Sequence, residues 1–153
     1  FRSFHCEDCS AHHFAETVYQ THQVIILPPV EFIKEFPDED VTIHIDRMRL
    51  TQVITNFLGN AKKFTSQGHI KLGYFCDKEK KEIHFFVEDT GAGIPKEELQ
   101  MIFERFYKRN EFVQGVGLGL AISKVIVEKM NGHIDVQSEV NKGSRFTAVL
   151  PYL

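Results

Sequence analysis

Residues 115–120 read GVGLGL, with glycines at alternate positions just before a predicted apolar helix. Glycines in this arrangement usually allow a phosphate group to come close to the backbone. A Walker P-loop would end in Gly-Lys-Ser/Thr, whereas Gly119 is followed by Leu120 and Ala121. A dinucleotide fingerprint needs G-x-G-x-x-G after a strand, and neither the spacing nor the preceding FERFYKRNEFVQ fits that pattern. The loop therefore indicates phosphate binding of another kind.

A second set of polar residues lies on a helix predicted over 47–64. Asn56, Asn60 and Lys63 stand at i, i+4 and i+7, so they share one stripe beside the apolar face of that helix. On an arbitrary helix, two carboxamides and one ammonium in line are more often only a solvated surface. The stripe gains significance only in combination with the motif that follows.

Residues 89–94, DTGAGI, directly follow a predicted strand. An aspartate at a strand end followed by Gly-x-Gly predicts a turn where backbone can approach a flat ligand closely. The ionised carboxylate of Asp89 only accepts hydrogen bonds, so it suits the amino group of adenine, with water reading the neighbouring ring nitrogen. A charge-assisted hydrogen bond of this kind contributes about 1.5–3 kcal/mol. Taken alone, the motif is equally compatible with an ordinary turn.

Hydrophobic periodicity predicts the elements that position these residues. The predicted helices cover residues 9–26, 47–64, 95–103 and 118–130, the second capped by Asp46. The predicted strands cover residues 30–36, 41–45, 69–75, 82–88, 133–138 and 144–150. Together they predict an α+β fold, a two-layer sandwich in which a mixed β-sheet carries helices on one face.

Length and composition favour one domain over residues 1–153. The formal net charge is −3 without a dense basic run, so no nucleic-acid partner is expected. The sequence shows neither a membrane-spanning segment nor a signal peptide. Three cysteines without a disulfide framework favour a reducing, cytoplasmic setting. Because the chain begins with Phe1, we expect a piece of a longer protein.

A cluster near the start, HCEDCSAHH over residues 5–13, contains side chains of the types that bind zinc. They are His5, Cys6, Cys9, His12 and His13. If Cys6 and Cys9 were neighbours on a helix, such ligands could form a tetrahedral site. No second Cys-x-x-Cys or spaced histidine pair completes a recognised module. A polar helix near the chain end is the favoured interpretation, with zinc as the alternative.

Four ordered motifs resemble the ATP-binding catalytic domain of sensor histidine kinases, in the superfamily that includes gyrase, HSP90 and MutL. The motifs are NFLGNAKKFT (56–65) for the N box, DTGAGI (89–94) for the first glycine box, IFERFY (102–107) for the phenylalanine box and GVGLGL (115–120) for the second glycine box. The similarity extends from about Asp46 to Pro151. It implies the Bergerat fold and ATP with Mg²⁺ as cofactors.

The resemblance also implies roles for individual residues. Asn60 offers its carbonyl oxygen to Mg²⁺, Lys63 pairs with phosphate, and Asn56 lies beside the γ-phosphoryl group. Lys108 or Arg109 reaches the γ-phosphate, and Thr147 joins the water that reads adenine beside Asp89. A nucleotide lid over 104–117 meets the helix at the glycines. The remaining positions expected at the nucleotide are Gly91, Gly93, Ile94, Phe103, Phe106, Gly115, Gly117, Leu118, Gly119 and Leu120.

The chain departs from the family pattern at two positions. Val116 stands where threonine is common, and Lys108 where arginine is frequent, so a bidentate fork is replaced by a point charge. None of the eight histidines lies in a sequence like that of the family's phosphoacceptor. The acceptor is therefore expected on a dimerisation and histidine-phosphoacceptor domain upstream of this one.

The resemblance implies a histidine kinase that donates the γ-phosphoryl group to that separate domain. The alternative is a hydrolytic ATPase of the gyrase or HSP90 type, in which a glutamate begins the N box as general base. Asn56 holds that position here and cannot take a proton. A degenerate interaction module is disfavoured by the intact motifs. We further expect a response regulator receiver domain as partner, a monomeric isolated domain, and a location on the cytoplasmic side of a membrane-anchored sensor.

Overall fold

The computed structural model describes residues 3–104 and 119–152. Its helices are α1 (Ala11–Gln23), α2 (Arg47–Phe64) and α3 (Gly119–Lys129). Its strands are β1 (Glu7–Ser10), β2 (Val30–Glu35), β3 (Thr42–Ile45), β4 (Gly68–Asp77), β5 (Glu82–Asp89), β6 (His133–Glu139) and β7 (Gly143–Pro151). No helix within the described part of the chain is long and apolar enough to cross a membrane.

Five strands form one mixed sheet in the order β2-β4-β5-β7-β6. β2 pairs with β4 in parallel, and the other pairs in this sheet are antiparallel. β1 and β3 form a separate two-stranded ribbon. The predicted mixed sheet is therefore confirmed.

Side chains alternate between the two faces of the sheet, and the helices cover one of them. On the covered face, Leu72, Val87 and Phe146 lie opposite one another across β4, β5 and β7. Phe146 packs on Phe57 of α2, with ring centroids 5.4 Å apart. The core thus lies between the helices and this face, and the α+β sandwich predicted from the sequence is confirmed.

α2 forms as its sequence predicts. Asp46 is its N-cap and accepts the backbone N–H of Arg49 at 3.2 Å, an interaction that contributes about 0.5–2 kcal/mol. Its buried stripe consists of Leu50, Val53, Ile54, Phe57, Leu58 and Ala61. This packing fixes the rotation of the helix, so that the Asn56–Asn60–Lys63 stripe is turned away from the core.

The predicted start of the first helix at residue 9 is wrong. Residues 7–10 instead form β1, which pairs with β3 from Glu7↔Ile45 to Ser10↔Thr42. α1 begins after Ser10, whose side chain accepts the N–H of His13 at 3.0 Å. The pairing partner lies far along the chain, where local periodicity gives no signal of it.

The strand geometry also removes the support for a zinc site. Cys6 precedes β1 and is exposed, whereas Cys9 lies within β1 and is partly buried. Residues three apart along extended chain point to opposite sides, so the two thiols are not neighbours on one helical face. Among the residues described by the structure, no three side chains of metal-binding type converge on one position.

The helix predicted over 95–103 is a single 3₁₀ turn at Lys96–Glu98, preceded by Pro95. After it the backbone continues through i→i+3 hydrogen bonds, such as Met101 N–H to Glu98 O at 2.9 Å. These turns bury Ile102 against the core. The prediction of a regular α-helix for this segment is therefore wrong. Consecutive turns, without a regular helix, pack its apolar residues against the core.

Candidate functional site

One row of side chains at the end of the sheet is polar where the adjacent row is apolar. Asp89 lies opposite Ser144, which in turn lies opposite Ser138 on β6. The adjacent row on the same face holds Val87 and Phe146. Asp89, Ser144 and Ser138, here called the polar row, therefore form the polar end of a face that is otherwise core.

Asp89 is nearly enclosed, with 8% of its surface exposed. Burial raises the pKa of its carboxyl above the usual range. The backbone N–H groups of Gly91, at 2.8 Å from Oδ1, and of Ser144 act against this rise, as does the Thr65 hydroxyl. The carboxylate therefore has hydrogen-bond donors around it but too few to offset its desolvation, and a ligand amino group would supply a further donor.

Thr65 is a site residue to which the sequence analysis gave no role. It follows α2 directly and is 5% exposed. Its hydroxyl lies close enough to lower the pKa of Asp89, yet within the described part of the chain no hydrogen bond of good geometry reaches Thr65 Oγ1. Buried polar atoms without a partner are rare in proteins and mark places where a water molecule or ligand completes the bonding. The sequence signal that could have identified Thr65 was its position directly after the predicted helix.

The loop after β5 is held by backbone contacts that need glycine. A methyl group on Gly91 would overlap the carbonyl oxygen of Phe64, and one on Gly93 would overlap that of Glu139. Gly93 also has a φ of +71°, which side chains disfavour. Both glycines therefore allow the loop to pack between the end of α2 and the β6–β7 turn. This differs from the sequence interpretation, in which the glycines gave a ligand access to backbone.

Asn56 connects α2 to the first turn of α3. Its Nδ2 donates to Gly119 O and to Ser123 Oγ, both at 3.1 Å. Ser123 is fully buried and its own hydroxyl donates to Gly119 O at 2.8 Å. The amide nitrogen of Asn56 is thus occupied by the protein.

Asn60 and Lys63 continue the stripe from Asn56 toward the polar row. Asn60 is half-buried and Lys63 is exposed. From Asn56 to Thr65 the helix rises about 13 Å at ~1.5 Å per residue. The stripe therefore extends from the start of α3 to the side of Asp89. A neutral amide oxygen such as that of Asn60 is a ligand that Mg²⁺ accepts alongside phosphate and water, so this donor set fits that ion.

Thr147 does not join the site. In β7 it lies opposite Phe86, whereas Ser144 lies opposite Asp89. Because strand side chains alternate, Thr147 lies on the face away from the helices. The adenine-side role assigned to Thr147 is therefore wrong for this fold, and Ser144 is the hydroxyl beside Asp89. The alternation of Phe146, Ala148 and Leu150 in the sequence was a usable signal for this.

The other predicted nucleotide residues are placed in several ways. Ile94 and Leu120 are buried in the core, and Phe103 is half-buried against it. Gly119 begins α3 beside the Asn56 carboxamide. The positions that fall outside the described residues are Phe106, Lys108, Arg109, Gly115, Gly117 and Leu118, together with most of the predicted lid.

The chain is similar in sequence to sensor histidine kinases. The profile of the family described as histidine kinase-, DNA gyrase B-, and HSP90-like ATPase matches residues 45–153. The sensor histidine kinase WalK of Bacillus subtilis (strain 168) is 38% identical over 128 residues, which cover 80% of this chain and 21% of WalK. The sensor protein SrrB of Staphylococcus aureus is 44% identical over 110 residues, covering 69% of this chain and 19% of SrrB. The chain spans about a fifth of the length of these relatives.

The fold is likewise similar to solved histidine kinase structures. Full-length ShkA in complex with AMPPNP superposes with a TM-score of 0.88 and 28% identity, over 99% of this chain and 32% of ShkA. The nucleotide-free catalytic domain of the histidine kinase ThkA gives a TM-score of 0.85 and 28% identity, over 97% of each chain. The Bergerat-type architecture predicted from the motifs is confirmed by these similarities.

Proposed function

The chain belongs to the histidine kinase-, DNA gyrase B-, and HSP90-like ATPase family, and we propose that it binds Mg·ATP and donates the γ-phosphoryl group to a histidine. The acceptor histidine belongs to a separate dimerisation domain of the same protein. A response regulator receiver domain then takes the phosphoryl group from that histidine. Because the relatives are sensor kinases and ATP is a cytoplasmic substrate, we place this activity on the cytoplasmic side of a sensor.

The observation that carries the choice of a kinase is the chemistry of Asn56. A hydrolytic ATPase needs a base at the start of the N box to activate water. A carboxamide has no such basicity, and the Asn56 nitrogen already donates to Gly119 O and Ser123 Oγ. The residue therefore serves to hold α3 against α2, which favours transfer to a partner's nucleophile over attack by water.

The remaining site residues bind and orient the nucleotide. Asp89 accepts the adenine amino group, and Ser144 lies beside it to read the neighbouring ring nitrogen directly or through water. Mg²⁺, when bound with ATP, neutralises charge on the phosphate chain. Asn60 would hold this ion through its amide oxygen, and Lys63 would pair with phosphate oxygens. Positioning and charge neutralisation of this kind supply most of the catalysis in phosphoryl transfer.

Binding and hydrolysis by the isolated chain test this proposal. Calorimetric titration should show binding of Mg·ATP in preference to Mg·GTP, since the carboxylate of Asp89 would repel the guanine carbonyl. Under saturating ATP, the release of inorganic phosphate should remain near the rate of the buffer control. Sustained hydrolysis would favour the gyrase-type alternative, and absence of ATP binding would refute both.

A further inference from the structure

Ser138 on β6 joins three separate parts of the site. Its Oγ accepts the backbone N–H of Ile94 at 2.7 Å. The same atom lies 3.1 Å from Gly143 O and 2.8 Å from Ser144 Oγ. Ile94 ends the loop that follows β5, here called the glycine loop (90–94). Gly143 begins β7, and Ser144 is the neighbour of Asp89. One hydroxyl therefore connects the glycine loop, the hairpin turn and the polar row.

The bonding of Ser138 controls what Ser144 can do. The Ser138 hydroxyl has one proton, so it donates either to Gly143 O or to Ser144 Oγ. If it donates to Gly143, Ser144 gives its own proton to Ser138 and presents only an acceptor to the site. If it donates to Ser144, the Ser144 proton is free to point into the site. The N–H of Ile94 fixes the position of the Ser138 oxygen in both cases.

Adenine requires the second of these arrangements. Its amino group is a donor and the adjacent ring nitrogen, N1, is an acceptor, so a matching site presents an acceptor followed by a donor. Asp89 is the acceptor, and Ser144 becomes the donor only when Ser138 donates to it. Guanine presents a carbonyl and an N–H at the same positions, so both contacts would be mismatched.

We propose that Ser138 is a positioning residue for base recognition, which sets Ser144 as the donor that reads N1 of adenine directly or through one water molecule. The inference rests on the proposed nucleotide binding and adds to it the residue that orients the second base contact. Ser138 itself does not touch the nucleotide.

Calorimetric titration of Ser138→Ala with two nucleotides tests the inference. ATP affinity should fall about 10-fold, as expected when one buried hydrogen-bond arrangement is lost. The analogue 1-deaza-ATP keeps the amino group but lacks the N1 acceptor, so its affinity should change less than about 2-fold. Ser138→Thr keeps the hydroxyl in a strand and should restore ATP binding. Gln137→Ala, on the exposed opposite side of β6, is the matched control and should bind as the starting protein does.

A double variant separates an orienting role from a merely structural one. If Ser138 acts through Ser144, then Ser138→Ala should have little further effect on ATP affinity in a Ser144→Ala background. Equal losses for ATP and 1-deaza-ATP, additive losses in the double variant, or an unchanged ATP affinity in Ser138→Ala would each overturn the inference while leaving the nucleotide function intact. A starting protein that binds no ATP would overturn both.

Discussion

Replacing Asp89 with asparagine should weaken ATP binding without destabilising the ligand-free fold. Asp89 is 8% exposed, and burial raises the pKa of its carboxyl despite the N–H groups of Gly91 and Ser144. A raised pKa means that the fold holds the neutral carboxyl better than the carboxylate. Asparagine is neutral and nearly the same shape, and its one carbonyl oxygen can still accept the Gly91 N–H, so the unfolding free energy at neutral pH should change little.

The same shift gives a pH dependence that the variant should lack. Because the folded carboxyl has a pKa above its usual 3.8, the stability that Asp89 contributes is complete below that pH. It is lost as the pH rises through the folded pKa. Asp40 and Asp46 have lowered pKa values and produce the opposite trend, with stability lost as the pH falls through those values. The starting protein and Asp89→Asn share Asp40 and Asp46. The difference between their curves of unfolding free energy against pH therefore reports the contribution of Asp89.

For ATP the expected loss is one charge-assisted hydrogen bond. Such a bond contributes about 1.5–3 kcal/mol, which corresponds to a dissociation constant about 10- to 150-fold higher. Calorimetry measures the affinity, and urea unfolding at several pH values measures the stability. If Asp89→Asn binds ATP as tightly as the starting protein does, the adenine-binding role of Asp89 is refuted. Strong destabilisation of the ligand-free variant would instead make Asp89 a structural residue.

Four further substitutions probe the rest of the site. Asn60→Ala should remove the Mg²⁺-dependent part of ATP affinity and leave adenosine binding largely intact, whereas equal losses in calorimetry would make its role structural. Asn56→Ala removes two hydrogen bonds to the start of α3 and should lower the unfolding free energy in urea by about 1–3 kcal/mol. No change would mean that other contacts hold α3. Ser144→Ala should weaken ATP binding about 10-fold while Thr147→Ala leaves it unchanged, and the reverse result would restore the original assignment.

Much of the fold follows from local signals in the sequence. α2 has a cap, Asp46, and an apolar stripe of unbroken helical spacing, so its limits are accurate. The paired strands β4 and β5 alternate regularly, and β5 ends at Asp89, which places the carboxylate at the end of a strand as expected. Local capping and periodicity were sufficient there because packing agrees with them.

The features that the sequence did not predict correctly depend mainly on contacts between residues distant in sequence. β1 exists because it pairs with β3, and residues 7–10 have no strand signal of their own. The reason for Gly93 is the carbonyl of Glu139, which only the folded chain brings near. The Thr147 error is of another kind, because counting back by two from Phe146 places Ser144 on the buried face. The family resemblance predicted a hydroxyl side chain near Asp89, and the strand register places Ser144 at that position.

Transfer of phosphate to a partner tests the proposed function most directly. The isolated chain would be incubated with γ-labelled Mg·ATP, alone and with the dimerisation domain of the parent protein added as a separate chain. We expect no label on this chain in either case, and a label on the dimerisation domain that is stable to base and labile to acid, as a phosphohistidine is. Free phosphate released at an appreciable rate, with the dimerisation domain unlabelled, would contradict it.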